Sequence, residues 1–293
     1  MGRQIYQAIV DGILGGGIYA LMAVGLTLIF GVLDIINIAQ GILVVLGAYL
    51  SYVLSVHLHI DLFVGLLITV PAMFVIGVTI QVLFMRPLRG RERTSMSLLA
   101  AYAVALIIEG ILYRVFGPNY VTLKANYVTS SIYVFGFYLP YIYLYGFALA
   151  VACVAAIYLI LYRTRFGRSV RAIMQDQVAA RLIGIDVNRV AAVTFGIGVA
   201  VTAVGGMMFG ATSGGFNPNS GYDLISRLLA IVILGGLGSI GGALVAALVM
   251  TTAEALVDIW SPDWAVAVFY LVLVLVLVFR PAGLFGRRAA RAQ

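Results

Sequence analysis

Asp34, Asn37 and Gln40 recur at three-residue intervals in an apolar part of the chain, and Gly41 follows at once. A helix with this spacing would bring the three polar side chains to one face. At membrane depth such groups are costly unless they pair or line an aqueous space, so they are candidates for a solute path. A plain interfacial connection is the competing reading. A second candidate is GGLGSIGG at 235–242. No Lys-Ser or Lys-Thr closes it, and it lies in an apolar run, so it is not a phosphate loop. Glycine lets a backbone turn without side-chain clash. Gly235, Gly236, Gly238 and Ser239 therefore suit a hinge between half-helices that turn their backbone toward a path. Tight packing alone is the alternative.

Other polar residues point to structure before chemistry. Glu109 lies in an apolar run with Arg114 five residues on, which reads as an ion pair or an interface position. Glu254 and Asp258 sit one turn apart near a span end and read as solvated. His57 and His59 lack the carboxylate-bearing helix motif of a metal site. Cys153 is the only cysteine, which rules out an intrachain disulfide framework. No nucleophile–base pair, metal-ligand cluster or Walker signature is present, so an enzyme reading has no support and no cofactor is expected.

The longest polar stretch is RTRFGRSVRAIMQDQVAARLIGIDVNRV at 163–190, with six arginines against Asp176 and Asp186. Its middle, 168–183, has no Gly or Pro and carries apolar residues at helical spacing, so one basic amphipathic helix is expected there. Held between two spans, it is a place where a cytoplasmic partner could push on the membrane part. A loop that merely obeys the positive-inside rule is the alternative.

The elements that must position these residues are membrane spans. Of 293 residues, 63% are hydrophobic and 10% charged, too little charge to cover a soluble surface of this size. The expected fold is an all-α polytopic membrane protein of about seven to eight segments, forming a single transmembrane domain over 1–293. The segments are 5–30, 40–56, 62–85, 95–116, 141–161, 191–211, 228–257 and 264–279. Gly15, Gly16, Gly17 and Gly25 in the first, with the spacing Gly12-x-x-x-Gly16, suit close helix packing. The net charge of +7 sits in short loops at span ends, which argues for a lipid bilayer and against nucleic acid.

Arginine-rich 86–93, 163–190 and 280–293 should share the cytoplasmic side, while 57–61, 117–140 and 258–263 should face outward. Parity then decides the seventh segment. A single crossing would carry the basic tail outside. The conflict vanishes if 223–234 dips in from outside, breaks at the glycines and returns as 243–257. Such re-entrant backbone must be buried in protein or face water.

Several stretches together resemble the permeases of branched-chain amino-acid ABC importers, of the shorter of two types. They are GIYALMAVGLTLIFGVLDIINIAQGILVVLGAYL, AYAVALIIEGILYRVFGPN, ILGGLGSIGGALVAALV and the closing FRPAGLFG. The polar loop matches too, through Gly167, Arg168, Arg171, Asp176, Ala179, Ala180 and Gly184. The similarity runs nearly end to end.

The resemblance implies a second related permease, two cytoplasmic ATPase subunits, an extracytoplasmic solute-binding protein and a bacterial or archaeal plasma membrane. It implies that the loop docks in an ATPase groove, with Ala179, Ala180 and Gly184 permitting close approach and Arg168 and Arg171 meeting acidic residues. Where the family commonly has Asn-Phe-Ala-His-Gly, this chain has Asn37-Ile38-Ala39-Gln40-Gly41. The hydrogen-bonding capacity survives but the titratable imidazole is gone. The implied solutes therefore extend from branched-chain to other amino acids and small amides such as urea. A stand-alone channel or secondary carrier, and a sugar permease of a related ABC class, are the competing functions. Carriers usually show intramembrane charges for ion coupling, and here they are few.

Overall fold

The computed structural model describes residues 2–88, 93–134 and 137–286. Among them, eight helices are long and apolar enough to cross a membrane, as an all-α polytopic membrane protein requires. Helix α1 is Gly2–Leu33, α2 is Gln40–His57, and α3 is Leu62–Ile80, which continues through a π-helical turn at Gln81–Met85. Helix α4 is Arg93–Phe116 and α5 is the single turn Asn126–Thr129. An antiparallel hairpin of β1 (Ser131–Val134) and β2 (Phe137–Pro140) leads into α6, Tyr141–Arg163. Then come α7 (Arg165–Gln175), α8 (Gln177–Leu182) and α9 (Val187–Thr212). The chain closes with α10 (Ser220–Gly235), α11 (Ile240–Asp258) and α12 (Pro262–Phe279). Arg89, Arg91, Arg287, Arg288 and Arg291, on which the expected sidedness of two segments partly rests, lie outside the described residues.

Helices α1 and α9 form the buried centre, with most of their length enclosed by other helices. Without a hydrophobic drive between helices in lipid, close packing through small residues holds such a bundle. The expected Gly12-x-x-x-Gly16 face does this against α11. A side chain at Gly16 would meet Leu248 and Thr251, and the Thr251 hydroxyl donates to the Gly12 carbonyl at 2.8 Å. Gly25 of α1 lies against Gly198 of α9, and Gly206 of α9 against Val44 of α2.

Gln7 settles which end α1 starts from. Its amide donates to the Tyr138 carbonyl at 2.7 Å and accepts from the Tyr138 N–H at 3.0 Å, completing a backbone-like pair with β2. The N-terminus therefore lies at the hairpin end of the bundle, with 57–61 and 258–262. There Tyr127 donates to Asp61 at 2.8 Å; burial, and then this bond, push its phenol above the usual range. The opposite end holds α7, α8 and the segment after α12.

The segment expected at 228–257 is two antiparallel helices. Helix α10 has 16 residues, about 24 Å at the helical rise and short of a full bilayer core. Its start packs deep in the bundle, where Gly221 lies against Ile42 and Gly41 at the beginning of α2. Its end lies at the α7–α8 end of the molecule. The glycine turn is thus at the foot of a hairpin and not at its mid-height.

Two further expectations need correction. The polar stretch 34–40 is not a helical face: α1 ends at Leu33, Asp34 takes φ +54° and the backbone stays irregular to α2. The expected single helix over 168–183 is two helices. Asp176 adopts an extended conformation, and its carboxylate accepts from Val178 N at 2.7 Å and Ala179 N at 3.1 Å, which caps α8.

Candidate translocation path and coupling loop

A cavity of about 770 Å3 opens at the α7–α8 end between α1, α6, α7 and the α10–α11 turn. Asp34, Arg171, Asp176, Gly238 and Ser239 all line it. Residues expected in two separate roles, path and loop, therefore share one space.

Asp34 is exposed there because the chain leaves α1 with a left-handed turn at that residue. Asn37 and Gln40 are elsewhere, fully buried among the helices. Asn37 Nδ2 donates to Gln40 Oε1 at 3.2 Å, and Gln40 Nε2 donates to the Thr202 hydroxyl of α9. Gln40 thereby ties the start of α2 to α9. Asn37 Oδ1 is buried with no hydrogen-bond partner. Gly41 lies against Gly221 and Ile225, so its missing side chain lets α2 and α10 approach.

The glycine turn is shaped by contacts on three sides. Gly235 packs on Gly242 and Ala243, closing the α10–α11 hairpin. Gly236 and Gly238 take φ of +95° and +80°, where L-residues are strained. Gly238 faces Gly31 of α1, and Ser239 caps α11 by accepting from Gly242 N at 3.1 Å. The last carbonyls of a helix lack intrahelical partners. Here the segment after α12 supplies them: Leu284 N donates to Leu234 O at 2.7 Å and Phe285 N to Gly235 O at 3.2 Å. The closing motif is thus a C-cap for α10, a role sequence reasoning missed because the partners lie some fifty residues apart.

The polar loop is braced against the spans at several points. The Arg171 guanidinium lies 4.8 Å from the centre of the Tyr162 ring of α6, a cation–π distance. Gln177 Nε2 comes within 3.5 Å of the Val32 carbonyl at the end of α1. Gly167 is buried against the carbonyls of Ile160 and Leu161, where any side chain would collide. Val170, Ile173 and Ala180 point inward and are buried. Outward lie Arg168, Val178, Ala179, Leu182, Ile183 and Gly184, the last at φ +85° with open space about it.

Deep in the spans, the acidic residues have partners that sequence reading did not find. Glu254, expected to be solvated, is bound to Arg227 of α10 at 2.7 Å. The Arg227 guanidinium also lies 5.1 Å from the Phe269 ring centre and 5.8 Å from that of Tyr19. Glu109 accepts from the Tyr222 hydroxyl at 2.6 Å, so its carboxylate serves α10. No group of three or more His, Cys, Asp or Glu residues suited to a metal ion occurs among the described residues.

A family model described as branched-chain amino acid transport system / permease component matches residues 8–277. The chain belongs to that permease family. Its relatives include the high-affinity branched-chain amino acid transport system permease protein BraD of Pseudomonas aeruginosa, 29% identical over 96% of this chain and 95% of its own length. LivH of Escherichia coli, a permease protein of the like-named system, is also 29% identical, over 96% and 95% of the two chains. LivM, a second permease protein of that system in the same organism, is 30% identical over 42% of this chain and 29% of its own.

Proposed function

We propose that this chain is the shorter-type permease subunit of an ATP-driven importer in a bacterial or archaeal plasma membrane. It works beside a second, related permease, two ATPase subunits on the side of α7 and α8, and a solute-binding protein on the hairpin side. Its solutes are branched-chain or other amino acids, or small amides such as urea. The α7–α8 end and the segment after α12 are cytoplasmic in this reading, and the N-terminus is outside.

The observation that carries the reading is that the loop is braced on three spans while its outer face stays open. Helix α7 packs on α1, α6 and α9. Val178, Leu182 and Ile183 are each more than two-thirds exposed. Ala179 and Gly184 beside them leave room for a partner's close approach. An ATPase gripping that face would move α7 and α8 as a unit and carry the foot of α1 with them. Because Gly31 faces Gly238 across the cavity mouth, such a displacement would widen or close the space where Asp34 and Ser239 stand.

Uptake of radiolabelled leucine, isoleucine, valine and urea by cells with and without the chain tests the proposal. Loss of ATP-dependent uptake of at least one of them is expected. Equal uptake in both cells of all four and of the remaining protein amino acids would contradict it.

A further inference from the structure

Lipid can cover most of the outer surface of this bundle. The exposed faces of α3 and α12 carry Val64, Leu67, Leu271 and Val274, all apolar. One face differs. On α4, Tyr102, Leu106, Glu109 and Tyr113 form a stripe at helical spacing. Beside it, Tyr222, Asp223 and Ser226 form the exposed side of α10. The Tyr222–Glu109 hydrogen bond joins the two.

This face lies at membrane depth. Glu109 is 14 residues from Ser95, and Tyr222 is 13 from Gly235, so both stand about 20 Å from the α7–α8 end of a core about 30 Å thick. A carboxylate exposed to hydrocarbon there is strongly disfavoured, and such residues face a protein interior or water. Above the face, Phe116 at the end of α4 stacks on Tyr49 of α2 at 4.4 Å. The chain then runs without helix through 117–123, where Val121 and Phe216 exchange two backbone hydrogen bonds of 2.9 Å.

We propose that the face of α4 and α10 bearing Tyr102, Glu109, Tyr222, Asp223 and Ser226 is the watered wall of the solute path, with the second permease opposite it. The inference rests on the importer reading and adds to it where the path runs. The cavity lined by Asp34 and Ser239 is then its cytoplasmic mouth, since α10 leads from Tyr222 down to the glycine turn.

The test uses the full complex, purified with its partners to confirm its composition, in membrane fragments open on both faces. In a Cys153→Ser background, Ser226→Cys and Tyr102→Cys are exposed to a charged, membrane-impermeant methanethiosulfonate, with Val274→Cys on α12 as control. Either path cysteine should react at least tenfold faster than Val274→Cys; two positions guard against one variant failing to fold. If both react as slowly as Val274→Cys while the complex is intact, this wall faces lipid and the inference fails alone. If the complex contains no second permease, the importer reading fails first and the opposite wall with it.

Discussion

Arg227 of α10 and Glu254 of α11 meet at 2.7 Å inside the bundle, each side chain four-fifths enclosed, with Phe269 of α12 and Tyr19 of α1 on the guanidinium. Arg227 stands eight residues, about 12 Å, above the foot of α10, well within hydrocarbon thickness. The pair locks the two arms of the hairpin in rotation and height. Removing one partner strands the other charge, a loss of about 3–5 kcal/mol when such a pair is buried. Glu254→Ala should therefore lower the melting temperature in detergent sharply. The exchange Arg227→Glu with Glu254→Arg should recover part of the loss. A Glu254→Ala chain as stable as the parent would show that the pair holds nothing.

Within the α10–α11 turn, Gly238 combines a left-handed backbone with a close approach to Gly31. Gly238→Val places a β-branched residue at φ +80° against Gly31. Transport should fall to background while the protein still inserts and purifies with its partners. Normal uptake by this variant would make the turn a packing feature with no part in the path.

The outer face of α8 should be separable from its inner face. Ala179 is exposed and Ala180 buried, so Ala179→Glu should leave the fold intact and disturb only what docks there. Uptake should drop at least tenfold in reconstituted vesicles while the purified complex still hydrolyses ATP. Arg171→Glu, which also removes the contact with Tyr162, should behave likewise. Unchanged uptake in both variants would remove the coupling role from the loop.

Asp176 makes a narrower claim. Asp176→Ala deletes the cap on Val178 and Ala179, and loss of an N-cap costs about 1 kcal/mol. Amide exchange in 177–182 should quicken several-fold with little change in α7. Uniform exchange across both helices would mean they open as one.

Much of this architecture could be read from spacing and composition. Eight spans, the basic loop and the split of the seventh segment all follow from apolar run length and arginine placement. Long-range polar partnerships could not be read. Glu254 looked solvated because Arg227 is 27 residues away and joins it only when α10 folds back along α11. Asp34, Asn37 and Gln40 suggested one helical face, yet the left-handed turn at Asp34 sends it to the cavity and leaves the others buried. Asp176 interrupted a good helical pattern because its carboxylate reaches the following amides, a local competition that periodicity ignores. The role of FRPAGLFG appeared only when its amides met the carbonyls of α10.

The central claim is that this chain is one permease among several subunits, and subunit stoichiometry tests it most directly. A tagged chain extracted in mild detergent should bring down one copy of a second, related permease and two ATPase copies, with the mass of the intact complex to match. A stable assembly of this chain alone, under conditions that leave other membrane complexes whole, would contradict the account.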